Sequence, residues 1–149
     1  MRSSSVLLGL VVVAAGCAQA VDPKVVYGTY GVTVSAFGKS DPTIVVASQG
    51  SEGDILFDFT DGFTTDYDAV NATGLRGHVA GSHIKFDMQP VHVDHSTGQI
   101  DGTVTGIGQV NVTLLTLTLS VLPTNVTVIN GMPYVAGTTI DYTIDGPKQ

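Results

Sequence analysis

Cysteine is nearly absent from this chain, with Cys17 the only one. That excludes an internal disulfide framework, a cysteine-built zinc site, a CxxC redox motif and a catalytic thiol in any domain that follows it. Tryptophan is missing altogether and aromatic residues make up only 7%, which leaves few flat faces on which a sugar ring could stack. Basic residues are also scarce, at 6 against 13 acidic ones. Nucleic acid and anionic membrane surfaces are poor partners for such a balance. Charge of either sign is low at 13%, beside 43% hydrophobic residues, a composition that folds rather than staying disordered.

What is present first is a leader. "MRSSSVLLGLVVVAAGCAQA" carries one positive charge at Arg2, an apolar run from Val6 to Ala15, and small residues at Ala18 and Ala20. This pattern predicts a cleaved secretory signal over residues 1–20 and a mature chain beginning at Val21. The apolar run is shorter than the roughly 20 residues a membrane-crossing helix needs, and no later segment supplies a transmembrane span. An alternative reads "AAGC" as a lipobox, with Cys17 acylated and the protein anchored to the cell envelope. Against it stand the "AQA" site, Ala14 in place of leucine, and three downstream sequons. Those sequons, at Asn71, Asn111 and Asn125, predict an N-glycosylated extracellular protein. Arg2 is the only charge lost with the leader, so the net charge of −7 becomes −8. Residues 21–149 then form one disulfide-free domain, long enough to bury its own core.

The dominant period is two. Tyr30, Val32, Val34 and Ala36 share one face of an alternating stretch, and in "DILFDFT" Ile55, Phe57 and Phe59 alternate with Asp54, Leu56 and Asp58. "QVNVTLLTLTLSV" reads as one strand with a bulge at Leu114-Leu115, and Leu115, Leu117, Leu119 and Val121 continue beyond it. Further strands are expected at 42–48, 74–80, 82–88, 91–94, 100–105, 125–129 and 134–144, with a tight turn at Asn130-Gly131. No helix-period segment follows the leader. The predicted fold is all-β: an antiparallel β-sandwich or a small closed β-barrel of roughly eight to ten strands.

All four histidines fall in "HVAGSHIKFDMQPVHVDH". Read as a hairpin about Gln89-Pro90, the stretch pairs Phe86 with Val93, Asp87 with His92 and Lys85 with Asp94, which makes its polar face a set of opposite charges. A bound metal would use Asp87, His92 and Asp94, but Lys85 between the ligands opposes a divalent ion. "DFTDGFTTDYDAVN" gathers Asp58, Asp61, Asp66 and Asp68 as candidate calcium ligands, without the spacing of a twelve-residue calcium loop. Ser82 beside His83 lacks a nucleophile elbow, and "GTVTGIG" precedes no helix that could cradle a phosphate.

These residues predict a non-enzymatic extracellular binding or structural module with no catalytic residues and no cofactor. Its partner would be an extracellular protein, a carbohydrate or a small apolar ligand. The alternative is a barrel that carries a small apolar ligand or lipid, lined by Ile55, Phe57, Phe59, Phe86, Leu117 and Leu119. A metal-dependent hydrolase built on the histidines ranks last.

Overall fold

The computed structural model describes residues 22–36, 38–60, 72–95, 98–129 and 132–149. Among them, eight strands close into an antiparallel barrel: β1 (Gly28–Ala36), β2 (Lys39–Gln49), β3 (Ile55–Thr60), β4 (Ala72–Ala80), β5 (His83–His95), β6 (Gly98–Val110), β7 (Leu114–Pro123) and β10 (Ile140–Pro147). Each pairs with its neighbour in the chain, and β10 returns to β1 to shut the ring. Between β7 and β10 a short pair, β8 (Thr127–Ile129) and β9 (Met132–Tyr134), forms a separate two-stranded sheet. Closure decides for the barrel over the sandwich. It leaves no free edge strand within the ring.

The alternation seen in the sequence is the inside-outside alternation of this barrel. Ile140, Tyr142, Ile144 and Gly146 point inward from β10, while Asp141, Thr143, Asp145 and Pro147 point out. Leu115, Leu117, Leu119 and Val121 do the same on β7. Inward apolar and outward mostly polar is the reverse of the pattern a lipid-facing barrel carries. No helix of the described residues is long and apolar enough to cross a membrane.

The two ends of the barrel differ. At the base, where β1 begins, a 3-10 turn (Pro23–Val25) seats the fully buried Val26 under the core. The Tyr30 hydroxyl donates to the Val26 carbonyl at 2.6 Å, and Lys148 Nζ donates to the Val25 carbonyl at 3.0 Å while lying 5.8 Å from the Tyr30 ring centre. Burial raises the pKa of Tyr30 above its ordinary value, keeping the phenol a donor. At the opposite rim β1 meets β2, β3 meets β4, β5 meets β6, and the β8–β9 pair branches off.

Gly77 faces inward on β4. A Cβ there would stand 2.9 Å from Ile84 and 3.0 Å from Phe57. Its missing side chain lets Phe57 on β3 and Phe86 on β5 meet across β4, with ring centres 5.2 Å apart and planes tilted by 57°. Large side chains flanking an inward glycine are a recurrent way of filling a tightly curved barrel.

Four local expectations change. Residues 83–95 form one strand, not a hairpin about Gln89-Pro90: Lys85 pairs Ile107 and Pro90 pairs Thr103, with a register shift between Phe86 and Gln89. At that shift the Gln89 side chain replaces a strand neighbour, accepting from Arg76 N–H and donating to the Arg76 carbonyl, both at 2.8 Å. The predicted bulge at Leu114-Leu115 is instead a hairpin turn: Asn111 Oδ1 accepts from the backbone N–H of Thr113 and Leu114 at 3.0 and 2.8 Å, so Val112 and Leu114 turn outward. The strand expected at 100–105 runs from Gly98 to Val110 as β6 and takes in the whole of "GTVTGIG". The predicted 134–144 strand is broken at Gly137, whose φ of 86° no strand residue adopts. Ile129 pairs Met132, bracketing Asn130-Gly131, which itself lies outside the described residues.

Candidate functional site

Among the described residues, a small free space lies inside the barrel toward the rim. It holds about 20 Å³ and is lined entirely by apolar side chains and Tyr142, among them Phe59, Leu75, Val93, Leu119 and Ile144. That volume is close to the minimum for a single water, far below the roughly 300–1,000 Å³ of a typical ligand pocket. Of the six residues predicted to line a carrier, all are buried, yet only Phe59 and Leu119 border this space. Ile55, Phe57, Phe86 and Leu117 are plain core nearer the base. Tyr142 carries its phenol into this interior, and burial raises its pKa, with Tyr134 adding to the rise. Tyr134 comes from β9 and packs against the core from the rim side.

Two of the histidines, His78 and His92, stand against carboxylates in separate groups on the outer wall. His78 Nδ1 meets Asp54 Oδ1 at 2.7 Å and its Nε2 lies 3.6 Å from Asp87. Lys85 Nζ contacts Asp87 Oδ1 at 2.5 Å, and that hydrogen bond, followed by the lysine charge, lowers the Asp87 pKa. His92 stands further along β5 between two carboxylates, with Nδ1 to Asp101 at 2.6 Å and Nε2 to Asp94 at 3.1 Å. Of the three predicted metal ligands, His92 and Asp94 therefore come together, while Asp87 belongs to the other group. The side chain of His95 is outside the description.

Asp101 is the partner that sequence reasoning missed. The signal was present in "HVDHSTGQID": pairing His95 with Gly98, instead of turning at Gln89-Pro90, sets His92 opposite Asp101. Both ring nitrogens of His92 face carboxylates, an arrangement suited to an imidazolium donating twice. The Asp101 hydrogen bond raises the His92 pKa; desolvation opposes the rise, and the Asp94 and Asp101 charges add to it. Because the folded value exceeds the ordinary one of about 6.5, this contribution to stability is complete below that value and is lost as pH rises through the folded pKa. Proton NMR titration is expected to place the His92 midpoint above the ordinary value, and Asp101→Asn to bring it down. An unchanged midpoint in that variant would refute the Asp101 pairing.

Of the calcium candidates, Asp58 is committed to the fold, since its Oδ1 accepts from Gly74 N–H at 2.6 Å. Asp61, Asp66 and Asp68, and the sequon residue Asn71, lie outside the described residues. Among the described residues no group of three or more His, Cys, Asp or Glu side chains has an arrangement that could hold a metal ion.

The outer wall is concave where β5, β6 and β7 run side by side. Ile107 stands out from β6, 68% exposed, with a shallow groove of about 450 Å³ on its base side and another of about 440 Å³ toward Met88. Lys85 borders both grooves. Thr116, Thr118 and Ser120 of β7 form their far walls.

No family model matches this chain, and no curated protein or solved structure is significantly similar to it.

Proposed function

We propose that the chain is a secreted, acidic, N-glycosylated barrel acting as a non-enzymatic extracellular binding or structural module that meets its partner on its outer surface. The observation that carries this reading is the filled interior, whose free space of about 20 Å³ is too small for an organic ligand. Recognition then falls to the outside, where Ile107 and Met88 expose apolar surface between Lys85, Asp87 and a row of hydroxyls. Apolar side chains ringed by polar ones are the usual make-up of a protein-binding patch. An extracellular protein therefore ranks ahead of a carbohydrate as the partner.

A carrier of a small apolar molecule is the second reading. It is favoured by the position of the free space, which is apolar and lies under the rim where Tyr134 packs. Native mass spectrometry of the protein secreted from eukaryotic cells, with glycans removed, separates the two. A mass equal to the bare polypeptide from Val21 is expected. An added mass that disappears on denaturation would replace the module by a carrier or a metal protein, according to its size. A mass that retains the leader from Cys17 with an acyl chain would instead establish the anchored form.

A further inference from the structure

The predicted sequons at Asn111 and Asn125 stand in opposite structural situations. Asn111 sits at the tip of the β6–β7 turn, exposed. Among the described residues only its carbonyl oxygen is used there: Oδ1 accepts from the N–H groups of Thr113 and Leu114 and, at 3.4 Å, from the Thr113 hydroxyl. Its nitrogen, the atom that carries a glycan, points away from these bonds. A sugar attached to it leaves the turn intact.

Asn125 uses both ends of its amide. Oδ1 accepts from Asp101 N–H at 3.1 Å, and Nδ2 donates to the Gln99 carbonyl at 3.2 Å. The side chain thereby bonds along β6 as a neighbouring strand would, beside the bonds from Thr124 N–H and the Thr124 hydroxyl to the Asp101 carbonyl at 2.8 and 3.0 Å. An amide that reaches a carbonyl and an N–H on one strand edge must donate the hydrogen lying on the same side as its own oxygen. A glycosylated asparagine is a secondary amide in the trans arrangement, like a peptide bond, and the sugar occupies the position of that hydrogen. Glycan and clamp exclude each other. Losing the clamp leaves the Asp101 N–H and the Gln99 carbonyl without these partners and weakens the hold of β6 on the connection between β7 and β8, which then rests on the Thr124 bonds.

We infer that Asn111 is a glycan-bearing site and that Asn125 is not: its amide is reserved for holding the β7–β8 connection on β6, and chains glycosylated there fold poorly and are lost before secretion. This rests on the proposed secretory route and deepens it. Because a failed leader must not be mistaken for a failed site, the full chain after Ala20 is secreted from cultured eukaryotic cells behind a heterologous leader, alongside the chain with its own. The secreted protein is deglycosylated enzymatically in heavy-oxygen water, which marks each formerly occupied asparagine as labelled aspartate, and is cut with chymotrypsin between the two sites in the leucine-rich β7.

Occupancy at Asn111 several-fold above that at Asn125 is expected, with Thr113→Ala abolishing the Asn111 label and leaving secretion intact. Equal or greater occupancy at Asn125 in secreted, folded protein would overturn the inference, as would an unlabelled Asn111 in protein delivered by the heterologous leader. Failure of the native leader alone, with the expected labels behind the heterologous one, would refute the secretory reading and leave the site assignment standing. A further readout comes from Asn125→Ala, which removes the clamp without a sugar. Hydrogen exchange at Asp101 N–H is expected to rise in that variant, and unchanged exchange would show that no clamp exists.

Discussion

Gly146→Ala is expected to lower the stability of the barrel by about 3 kcal/mol or more, at or beyond the upper end of what one added methylene costs in a packed site. The reason is the seam. Among the described residues β10 and β1 close the ring through three registered pairs, Thr33 with Asp145, Val34 with Ile144 and Ser35 with Thr143, and the isolated bridge Tyr30–Lys148 lies beyond them. Gly146 falls between pairs and bridge. A Cβ on it would stand 2.1 Å from the Gly31 carbonyl oxygen and 2.6 Å from the Val32 Cα, and these are backbone atoms that cannot rotate aside. The two strands must separate there, exposing edges that the closed ring hides. Equilibrium urea unfolding measures the loss; Thr143→Ala, on the exposed face of the same strand, is expected to cost under about 1 kcal/mol. A Gly146→Ala protein with an unchanged midpoint would mean that β1 and β10 do not approach this closely.

Phe86→Ala carries the second large effect, an expected loss of about 3–5 kcal/mol. Phe86 is 2% exposed and stacks obliquely on the fully buried Phe57 through the space that Gly77 leaves empty. Its removal strips one ring of a pair and leaves a void that the surrounding closed strands collapse into only partly. Phe59→Ala is the informative contrast. Phe59 borders the free space under the rim, where packing is already incomplete, so its truncation is expected to cost less. Equal losses at the two positions would contradict a barrel that is solid at its base and looser toward its rim.

These two positions also mark the limit of what local pattern conveys. The inward faces of β1, β3 and β7 were legible because a strand buried on one side shows its period directly: Tyr30, Val32 and Val34, Ile55, Phe57 and Phe59, and Leu115 to Val121. All-β architecture followed from that. The choice of barrel over sandwich did not, because it turns on Val34 meeting Ile144 from opposite ends of the chain, and neither residue carries a mark of that pairing. Turns hidden in β-like composition were missed for a local reason. Val112 and Thr113 look like strand residues, and only the acceptor role of the Asn111 side chain shows that the chain reverses there. The histidine stretch was placed on the wrong fold axis because Pro90 suggests a turn, whereas in β5 it occupies a position next to a register shift, where the ladder is already interrupted. Pairing His95 with Gly98 exchanges Asp87 for Asp101 as the partner of His92.

The base of the barrel holds Asp22, the buried Val26 and the bonds that Lys148 and Gln149 make to Val25 and Thr29. Both described ends of the chain thus leave from one pole, whereas β1, β3 and β5 end at the other, at Ala36, Thr60 and His95, where the β8–β9 pair also branches off. Any tether fixes the protein by the same pole, whether an acyl group on Cys17 or a fusion placed after Gln149. The molecule would then stand upright on its surface with the rim turned to the medium, and the Ile107 grooves would run along its flank, open to a partner approaching from the side.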